Sequence, residues 1–266
     1  MAAKVGHTSR TLLLLIAGTM ILMACRDPLA NESAVPQNLV PEILAIYPHD
    51  PKAFTQGLLY HQGYLYESTG LYGLSELRKI ELATGKVLRR TRLEAHFFGE
   101  GLALAGNRLI QLTWGENTAF VYDRETFTPI KSYTYKGEGW GLCFDGLHLY
   151  RSDGSSTLYL HSLHTFEVVG TLSVSLQGRS VADLNELACV GPHIYANVFQ
   201  TDYIVRIDKQ NGRVTARIKA ETLLSPQERA ALPVGATLNG IAHDSAEDVF
   251  FLTGKLWPKL FKVRFR

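Results

Sequence analysis

The chain has 266 residues, of which 46% are apolar and 20% charged, values typical of a globular protein rather than a disordered one. Residues 1–24 contain Lys4 and Arg10 but no acidic residue, so their removal takes the formal charge from +2 to 0. A neutral mature chain gives no reason to expect nucleic acid or an anionic membrane surface as a partner.

The first predicted element is a secretory leader. Lys4 and Arg10 precede an apolar stretch, residues 12–23, that is too short for a comfortable transmembrane span and fits a signal peptide over residues 1–24. The ending Leu-Met-Ala-Cys at Cys25 resembles a bacterial lipoprotein box, in which Cys25 would be acylated and would tether the protein to the membrane. Simple cleavage with release is the alternative, and in either case we expect export to the bacterial periplasm.

A flexible tether and one folded domain follow. Residues 26–40 are polar, contain two prolines and lack periodicity, which predicts a tether over residues 25–41 and a single folded domain over residues 42–266. Within this domain short β-like runs alternate with turn signals and almost no helical period. The one helical candidate is the segment 225–230, which begins with a Ser-Pro pair.

A short segment recurs five times along the domain with a variable residue at its first position, here called the slot. In the first four copies a Leu-Tyr-like pair follows eight residues after the middle position, and in the fifth the gap is nine. The five copies are Gln56-Gly57-Leu58, Glu100-Gly101-Leu102, Trp140-Gly141-Leu142, Asn185-Glu186-Leu187 and Asn239-Gly240-Ile241.

The spacing of the copies predicts an all-β, five-bladed β-propeller. The slots are 44, 40, 45 and 54 residues apart, and each copy contains several short strands, as propeller blades do. The fifth copy has only three strands before the chain ends, so the orphan strand at 42–47 is expected to complete that blade and close the ring. The alternative is two stacked sandwiches with coincidental spacing.

The cysteines leave two alternatives open. If Cys25 carries lipid, Cys143 and Cys189 remain as a pair that could form a disulfide in an oxidising compartment. Both lie in apolar strand contexts, so two separate buried thiols are the favoured interpretation. The sequence has no CxxC, HExxH or clustered histidines, and we expect neither a metal nor a cofactor.

In a propeller the first strand of each blade lines the central channel, and this places the candidate site. Residues two positions before a slot share its face, so Phe54 accompanies Gln56 and Phe98 accompanies Glu100. The ends of the second strands bring further side chains to one mouth of the channel, namely Trp114, Phe199 and Lys255.

Glu100 is the residue that most needs an explanation. Aromatic surroundings remove water from a carboxylate, and the pKa of Glu100 should therefore rise toward the range useful for proton transfer. The alternative is a structural glutamate bonded to backbone amides of the channel wall. Lys255 has two interpretations as well, a solvated rim charge or an ion-pair partner.

Several motifs resemble those of glutaminyl cyclases of the plant and bacterial type. They are Phe-Thr-Gln-Gly-Leu at 54–58, Phe-Gly-Glu-Gly-Leu at 98–102, Leu-Thr-Trp at 112–114, Ala-Asn-Val-Phe-Gln-Thr-Asp at 196–202 and Thr-Gly-Lys-Leu-Trp-Pro at 253–258. The resemblance extends over essentially the whole mature chain and implies a five-bladed propeller. It further implies a glutaminyl-peptide cyclotransferase, an acyltransferase that converts the N-terminal glutamine of peptides or proteins to pyroglutamate with release of ammonia and without a catalytic metal.

The resemblance also implies roles for the candidate site residues. Glu100 matches the family's proposed general acid/base, and Gln56, Trp140, Asn185 and Lys255 match residues around the substrate amide and amine. Our own hypothesis is that Lys255 acts with Glu100 in catalysis and that Lys255, Gln56 or an indole N–H stabilises the oxyanion. The residues expected to bind substrate are Phe54, Gln56, Phe98, Trp114, Trp140, Asn185 and Phe199. Phe199 departs from the family, which commonly has Trp there; we expect the smaller ring, which has no indole N–H, to change substrate affinity without abolishing activity.

Two other functions stay open on the sequence alone. A non-catalytic envelope propeller could bind peptides or proteins through the channel mouth, although such a scaffold needs no carboxylate among aromatics. A metal-dependent lactonase-type propeller would need several ligands on the axis, where the slots offer one Glu and two Asn. A closed ring needs no partner for stability, and we expect a monomer.

Overall fold

The computed structural model describes residues 1–4, 6 and 35–266. The predicted signal peptide apart from those first positions, the predicted lipidation site Cys25 and most of the predicted tether lie outside the described residues. The described residues 35–266 belong to one compact unit. Within the described part of the chain, no helix is long and apolar enough to cross a membrane.

The strands form five blades in chain order, preceded by two further strands. Two strands precede the first blade, β1 (Gln37–Leu39) and β2 (Pro41–Pro48). Blade one contains β3 (Thr55–His61), β4 (Tyr64–Thr69), β5 (Glu76–Glu81) and β6 (Val87–Arg92). Blade two contains β7 (Gly99–Ala105), β8 (Arg108–Thr113), β9 (Thr118–Asp123) and β10 (Pro129–Thr134). Blade three contains β11 (Leu142–Phe144), β12 (His148–Arg151), β13 (Thr157–Ser162) and β14 (Val168–Ser173).

A short hairpin separates blades three and four, formed by β15 (Ser175–Leu176) and β16 (Arg179–Ser180). Blade four contains β17 (Leu184–Val190), β18 (His193–Val198), β19 (Tyr203–Asp208) and β20 (Val214–Lys219). A 3-10 turn (Glu221–Leu223) and the helix α1 (Pro226–Ala230) lead to blade five, which contains β21 (Leu238–Asp244), β22 (Val249–Gly254) and β23 (Lys259–Phe265). The predicted helix is confirmed, and Ser225 and Glu228 form a capping box at its start.

The predicted all-β, five-bladed propeller is confirmed. Blades one to three are antiparallel sheets of four consecutive strands. In blade five, β2 pairs antiparallel with β23, from Pro41 opposite Phe265 to Pro48 opposite Lys259. The strand from the N-terminal side therefore closes the ring, as the incomplete fifth copy predicted.

The boundary of the folded domain differs from the prediction. Strand β1 pairs in parallel with β20, with Gln37 opposite Ala216 and Leu39 opposite Ile218, and adds a fifth strand to blade four. The end of the segment predicted as a tether, residues 25–41, is therefore part of the propeller. A polar three-residue strand has too little periodicity to be recognised, because its pairing partner supplies the structure.

The hydrophobic core is divided among the interfaces between blades. Five clusters of buried side chains occur in the described residues, one between each pair of neighbouring blades. Leu58 and Leu65 of blade one, for example, pack with Phe251 and Leu260 of blade five. Burial of each such side chain contributes about 1.5–3 kcal/mol, so the apolar positions of the repeat hold each blade to the next.

The glycines of the repeated segments allow the inner strands to approach closely. A Cβ on Gly57 would lie 2.6 Å from the backbone nitrogen of Leu102, and one on Gly101 would lie 2.4 Å from that of Leu142. The Gly101 N–H also donates to the Trp140 carbonyl at 2.6 Å, which joins blades two and three. Larger residues at these positions would force neighbouring blades apart.

The sequence favoured separate thiols for Cys143 and Cys189, and this interpretation is wrong. The two residues form a disulfide between β11 and β17, with a Cα–Cα distance of 5.4 Å. They belong to the inner strands of neighbouring blades, which the ring brings together at the same level. Analysis of each strand by itself could not show this proximity.

Candidate functional site

The nine residues assigned to catalysis or substrate binding line one cavity at a mouth of the channel, with a volume of about 190 Å³. The structure therefore brings the whole predicted set together, while the role of each residue stays a prediction. This volume is smaller than the pockets of about 300–1,000 Å³ that hold drug-sized ligands, and it suits a single amino-acid residue. The nine are Phe54, Gln56, Phe98, Glu100, Trp114, Trp140, Asn185, Phe199 and Lys255.

The repeated frame delivers these side chains from two places in each blade. Gln56, Glu100 and Asn185 belong to the inner strands β3, β7 and β17, while Trp114 and Phe199 directly follow the second strands β8 and β18. Register shifts occur at the slots of blades one, two, four and five. Such bulges turn a side chain out of the regular alternation, so the slot residues can face the cavity.

Glu100 lines the cavity and is 5% exposed. Burial raises the pKa of Glu100 well above its usual value; the Lys255 ammonium opposes this shift, and the charges of Glu116 and Glu138 add to it. Its Oε1 accepts a hydrogen bond of 2.8 Å from Gln56 Nε2. Its Oε2 has no hydrogen-bond partner among residues 35–266, so this oxygen is available to a ligand.

Asn239 acts behind Gln56 rather than in the cavity. Its Nδ2 donates to the Thr55 carbonyl at 2.9 Å and lies 3.4 Å from Gln56 Oε1. The fifth slot residue thus fixes the orientation of the Gln56 amide, which in turn fixes Glu100. The sequence had left Asn239 without a role in the site.

Lys255 is the basic residue of the cavity, and it is held between two aromatic rings. Its Nζ lies 4.9 Å from the ring centroids of both Phe54 and Phe199. Burial lowers the pKa of Lys255, and the carboxylates of Glu100 and Glu186 oppose that change. The ammonium therefore lines the cavity between the Phe54 and Phe199 rings.

Phe199 and Asn185 line the cavity between blades three and four. The Phe199 ring packs edge-on against Trp140 at a centroid distance of 5.4 Å, so it supports an indole as well as Lys255. Asn185 also lines the cavity, and its Oδ1 is buried without a hydrogen-bond partner within the described residues.

Glu138 is a site residue that the sequence analysis missed. Its Oε2 accepts the indole N–H of Trp114 at 2.8 Å and that of Trp140 at 2.8 Å. One carboxylate oxygen thus orients both tryptophans. The sequence analysis had listed an indole N–H as a possible donor to the oxyanion, but both indole N–H groups already donate to Glu138. No periodicity relates Glu138 to the two rings, so only the folded chain reveals this contact.

Glu116 forms a second acidic contact at the same mouth. It accepts from the Tyr72 hydroxyl at 2.9 Å and from the Phe98 backbone N–H at 3.3 Å. The ring of Phe98 packs edge-on against both Phe54 and Trp114. The aromatic wall is therefore fixed from outside by two carboxylates, Glu116 and Glu138.

Glu186 is a second buried carboxyl, and the sequence analysis gave it no role. It replaces the glycine of the repeated segment in blade four and is fully buried. Its Oε1 accepts the Leu58 backbone N–H of blade one at 2.8 Å, across the ring, and its Oε2 has no partner in the described chain. Burial raises the pKa of Glu186 well above its usual value, which favours the protonated form. The sequence signal that could have identified Glu186 is the absence of the repeat's glycine in blade four.

Within the described residues no group of three or more His, Cys, Asp or Glu side chains is placed to hold a metal ion.

The fold and the cavity together define a class of protein, a five-bladed propeller with a buried carboxyl in an aromatic pocket at the channel mouth. A family model described as glutamine cyclotransferase matches residues 14–265. Glutaminyl-peptide cyclotransferase from Arabidopsis thaliana is 45% identical over 231 residues, which cover 85% of this chain and 71% of the relative. The chain belongs to the glutamine cyclotransferase family, as the motifs predicted.

Solved structures agree with this assignment. The crystal structure of Myxococcus xanthus glutaminyl cyclase matches with a TM-score of 0.81 at 39% identity, over 86% of this chain and 98% of that chain. A β-propeller domain from Myceliophteria thermophila matches with a TM-score of 0.50 at 7% identity, over 84% and 99% of the two chains, and shares the fold alone.

Proposed function

We propose that this glutaminyl-peptide cyclotransferase converts N-terminal glutamine to pyroglutamate by general acid/base catalysis at Glu100, without a catalytic metal. The observation that supports this most directly is a buried carboxyl with one oxygen fixed by Gln56 and the other available in a cavity of single-residue size. The substrates are peptides or proteins with glutamine at the N-terminus.

The reaction is intramolecular. The α-amine attacks the side-chain carboxamide carbon, a C–N bond forms and closes the lactam ring, and the bond to the amide nitrogen breaks to release ammonia. An α-amino group has a pKa of about 8, so a usable fraction is neutral near pH 7. The enzyme therefore needs to confine the curled substrate and move protons.

Glu100 Oε2 receives the proton from the attacking amine and delivers one to the departing nitrogen. A carboxylate with a raised pKa is a stronger base than an ordinary glutamate, which favours proton uptake from the attacking amine. Gln56 holds Oε1 at 2.8 Å and so directs Oε2 at the substrate. Proton transfer of this kind contributes about 10²–10⁴-fold to the rate.

Lys255 stabilises the negative charge that develops on the former amide oxygen. Its buried ammonium acts at low dielectric, where a preplaced charge has a stronger effect than in water. Asn185 contributes an amide to the cavity lining, and the aromatic wall formed by Phe54, Phe98, Trp114 and Trp140 excludes water.

The test is ammonia release from Gln-Ala, measured with and without a chelator. Release that resists the chelator supports the proposal. No release at all would favour a peptide-binding propeller, and strict dependence on added metal would favour a lactonase-type site.

We also propose that the protein is exported to the periplasm and tethered through Cys25. The support is the basic and apolar leader with its lipoprotein-like ending. Labelling of cells with a radioactive fatty acid should mark the wild-type protein but not a Cys25→Ala variant; equal labelling of both would contradict the tether.

A further inference from the structure

A second cavity lies beside the candidate active site, on blade one, with a volume of about 260 Å³. We call it the arginine pocket, because it is lined by four basic residues and only two acidic ones. The basic residues are Lys52, Arg78, Arg90 and Arg92, and the acidic ones are Asp50 and Glu76.

The wall between the two cavities is thin. Phe54 lines both of them, and its carbonyl accepts the Gly70 N–H at 2.8 Å. Gly70 lines the arginine pocket, and a Cβ on it would lie 2.3 Å from the Phe98 ring and 3.1 Å from Gln56 Cγ. A single layer of residues therefore separates the arginine pocket from the substrate cavity.

The guanidinium groups are arranged by one buried carboxylate. Glu76 is 3% exposed and accepts from Arg78 Nε at 2.8 Å and Arg92 Nε at 2.9 Å, while Arg90 Nη1 lies 3.6 Å away. Because Arg92 uses only its Nε, both of its terminal nitrogens have no partner among the described residues. Arg78 also pairs with Asp50 at 3.0 Å and lies 3.6 Å from Glu67. Among the described residues, the exposed cations Arg90 and Arg92 have only Glu76 as a carboxylate partner.

A neighbouring part of the same mouth has the opposite charge. Glu116 and Glu138 lie behind Phe98, Trp114 and Trp140 on blades two and three. The mouth is thus acidic toward blades two and three and basic toward blade one. A peptide that leaves the cavity across Phe54 meets positive charge.

We propose that the arginine pocket is a subsite for an acidic side chain carried by one of the first residues after the N-terminal glutamine of the substrate. The inference rests on the proposed function, which places that glutamine in the adjoining cavity. An extended peptide advances about 3.3–3.6 Å per residue, so it crosses a wall one residue thick within a few residues. Guanidinium groups with free terminal nitrogens bind a carboxylate by paired, charge-assisted hydrogen bonds.

The test compares kcat/KM for peptides that differ at one position. Peptides of the form Gln-Ala-Ala-Ala receive Glu, Gln or Lys at the second, third or fourth position. We expect wild-type enzyme to prefer Glu over its neutral isostere Gln by about tenfold at one of these positions, the effect of about 1.4 kcal/mol. Lys should be the poorest residue there, and added salt should reduce the differences.

The matched variants lie on one strand. Arg90→Ala with Arg92→Ala should abolish the preference for Glu while kcat/KM for Gln-Ala-Ala-Ala stays unchanged. The control Arg89→Ala removes an arginine of the same strand that donates instead to the Thr126 carbonyl of blade two, and it should keep the preference.

The outcomes distinguish failure of the acidic subsite from failure of the proposed function. Cyclisation of all peptides at equal rates by wild-type enzyme would overturn the subsite and leave the proposed function intact. Failure to cyclise any of the peptides would overturn the proposed function and the subsite with it. Retention of the preference in a folded double variant would also overturn the subsite, and the wild-type comparison decides the question if that variant does not fold.

Discussion

Glu100 and Glu186 are both buried carboxyls of the inner strands, yet they differ by one position in the repeated segment. Glu100 occupies the slot of blade two and lines the cavity, whereas Glu186 occupies the glycine position of blade four and reaches across to the Leu58 N–H. Burial raises the pKa of both groups. A raised pKa alone therefore does not identify a catalytic residue; access to the cavity distinguishes the two.

The most decisive experiment replaces each carboxyl by its neutral isostere. Glu100→Gln should fold and bind substrate but lose about 10²–10⁴-fold in kcat, because the amide cannot accept the proton of the attacking amine. Glu186→Gln should keep kcat close to wild type, since Gln preserves the acceptor for the Leu58 N–H. Steady-state ammonia release measures both variants.

Near wild-type turnover of Glu100→Gln would exclude Glu100 as the acid/base. An equal loss in both variants would mean that the two carboxyls act as one coupled unit.

The next largest effect concerns Lys255, whose ammonium interacts with both carboxylates. Lys255→Ala should reduce kcat/KM by about 30–1,000-fold, the effect of about 2–4 kcal/mol of lost oxyanion stabilisation. Because the Lys255 charge lowers the pKa of Glu100, its removal should also move the acid limb of the pH–rate profile to higher pH. The control is Lys262→Ala, which removes a surface ion pair with Glu247.

A loss of activity without a shift of the acid limb would contradict the coupling between Lys255 and Glu100.

The repeat was sufficient to predict the ring, the closing strand and the cavity. Equivalent positions recur in the sequence, so the repeat alone places Gln56, Glu100 and Asn185 on inner strands. The resemblance to a known family assigned roles to these positions. Apolar periodicity and slot spacing report on contacts between equivalent parts of neighbouring blades, and these predictions depend on such contacts.

Contacts between non-equivalent residues could not be predicted in this way. Glu138 meets two indoles from different parts of two blades, Cys143 meets Cys189 across a blade boundary, and β1 depends on β20 for its structure. Each of these depends on the exact three-dimensional approach of segments that have no common pattern. The bulges at the slots could not be predicted either, because the register of a strand is set by the strand with which it pairs.

A smaller effect is expected from Glu138, which links the aromatic wall to the charge of Glu100. Glu138→Ala should lower kcat/KM about tenfold, mainly through KM, because both indoles lose their acceptor. Since the Glu138 charge raises the pKa of Glu100, its removal should move the acid limb to lower pH. Glu138→Gln keeps an acceptor oxygen and should restore KM but not the pH profile.

Glu116→Gln is the matched control for Glu138. It also removes a charge that raises the pKa of Glu100 but does not contact the indoles, so it should move the acid limb with little change in KM. A rise in KM for Glu138→Gln as large as that for Glu138→Ala would contradict the role of the shared acceptor.

The smallest expected effect is on stability, and it returns to Glu186. Because the pKa of Glu186 is raised on folding, the folded state binds its proton more tightly than the unfolded chain does. This contribution is complete at pH values below the unfolded-state pKa and is lost as pH rises through the folded-state pKa. Glutamine cannot lose a proton, so Glu186→Gln should match wild type at acidic pH and unfold at a higher temperature at alkaline pH. Since 1 kcal/mol moves the Tm of a domain of this size by about 2–4 °C, calorimetry across a pH series should resolve the difference. A Tm difference that does not change with pH would show that Glu186 takes up no proton on folding, and its buried Oε2 would then need another explanation.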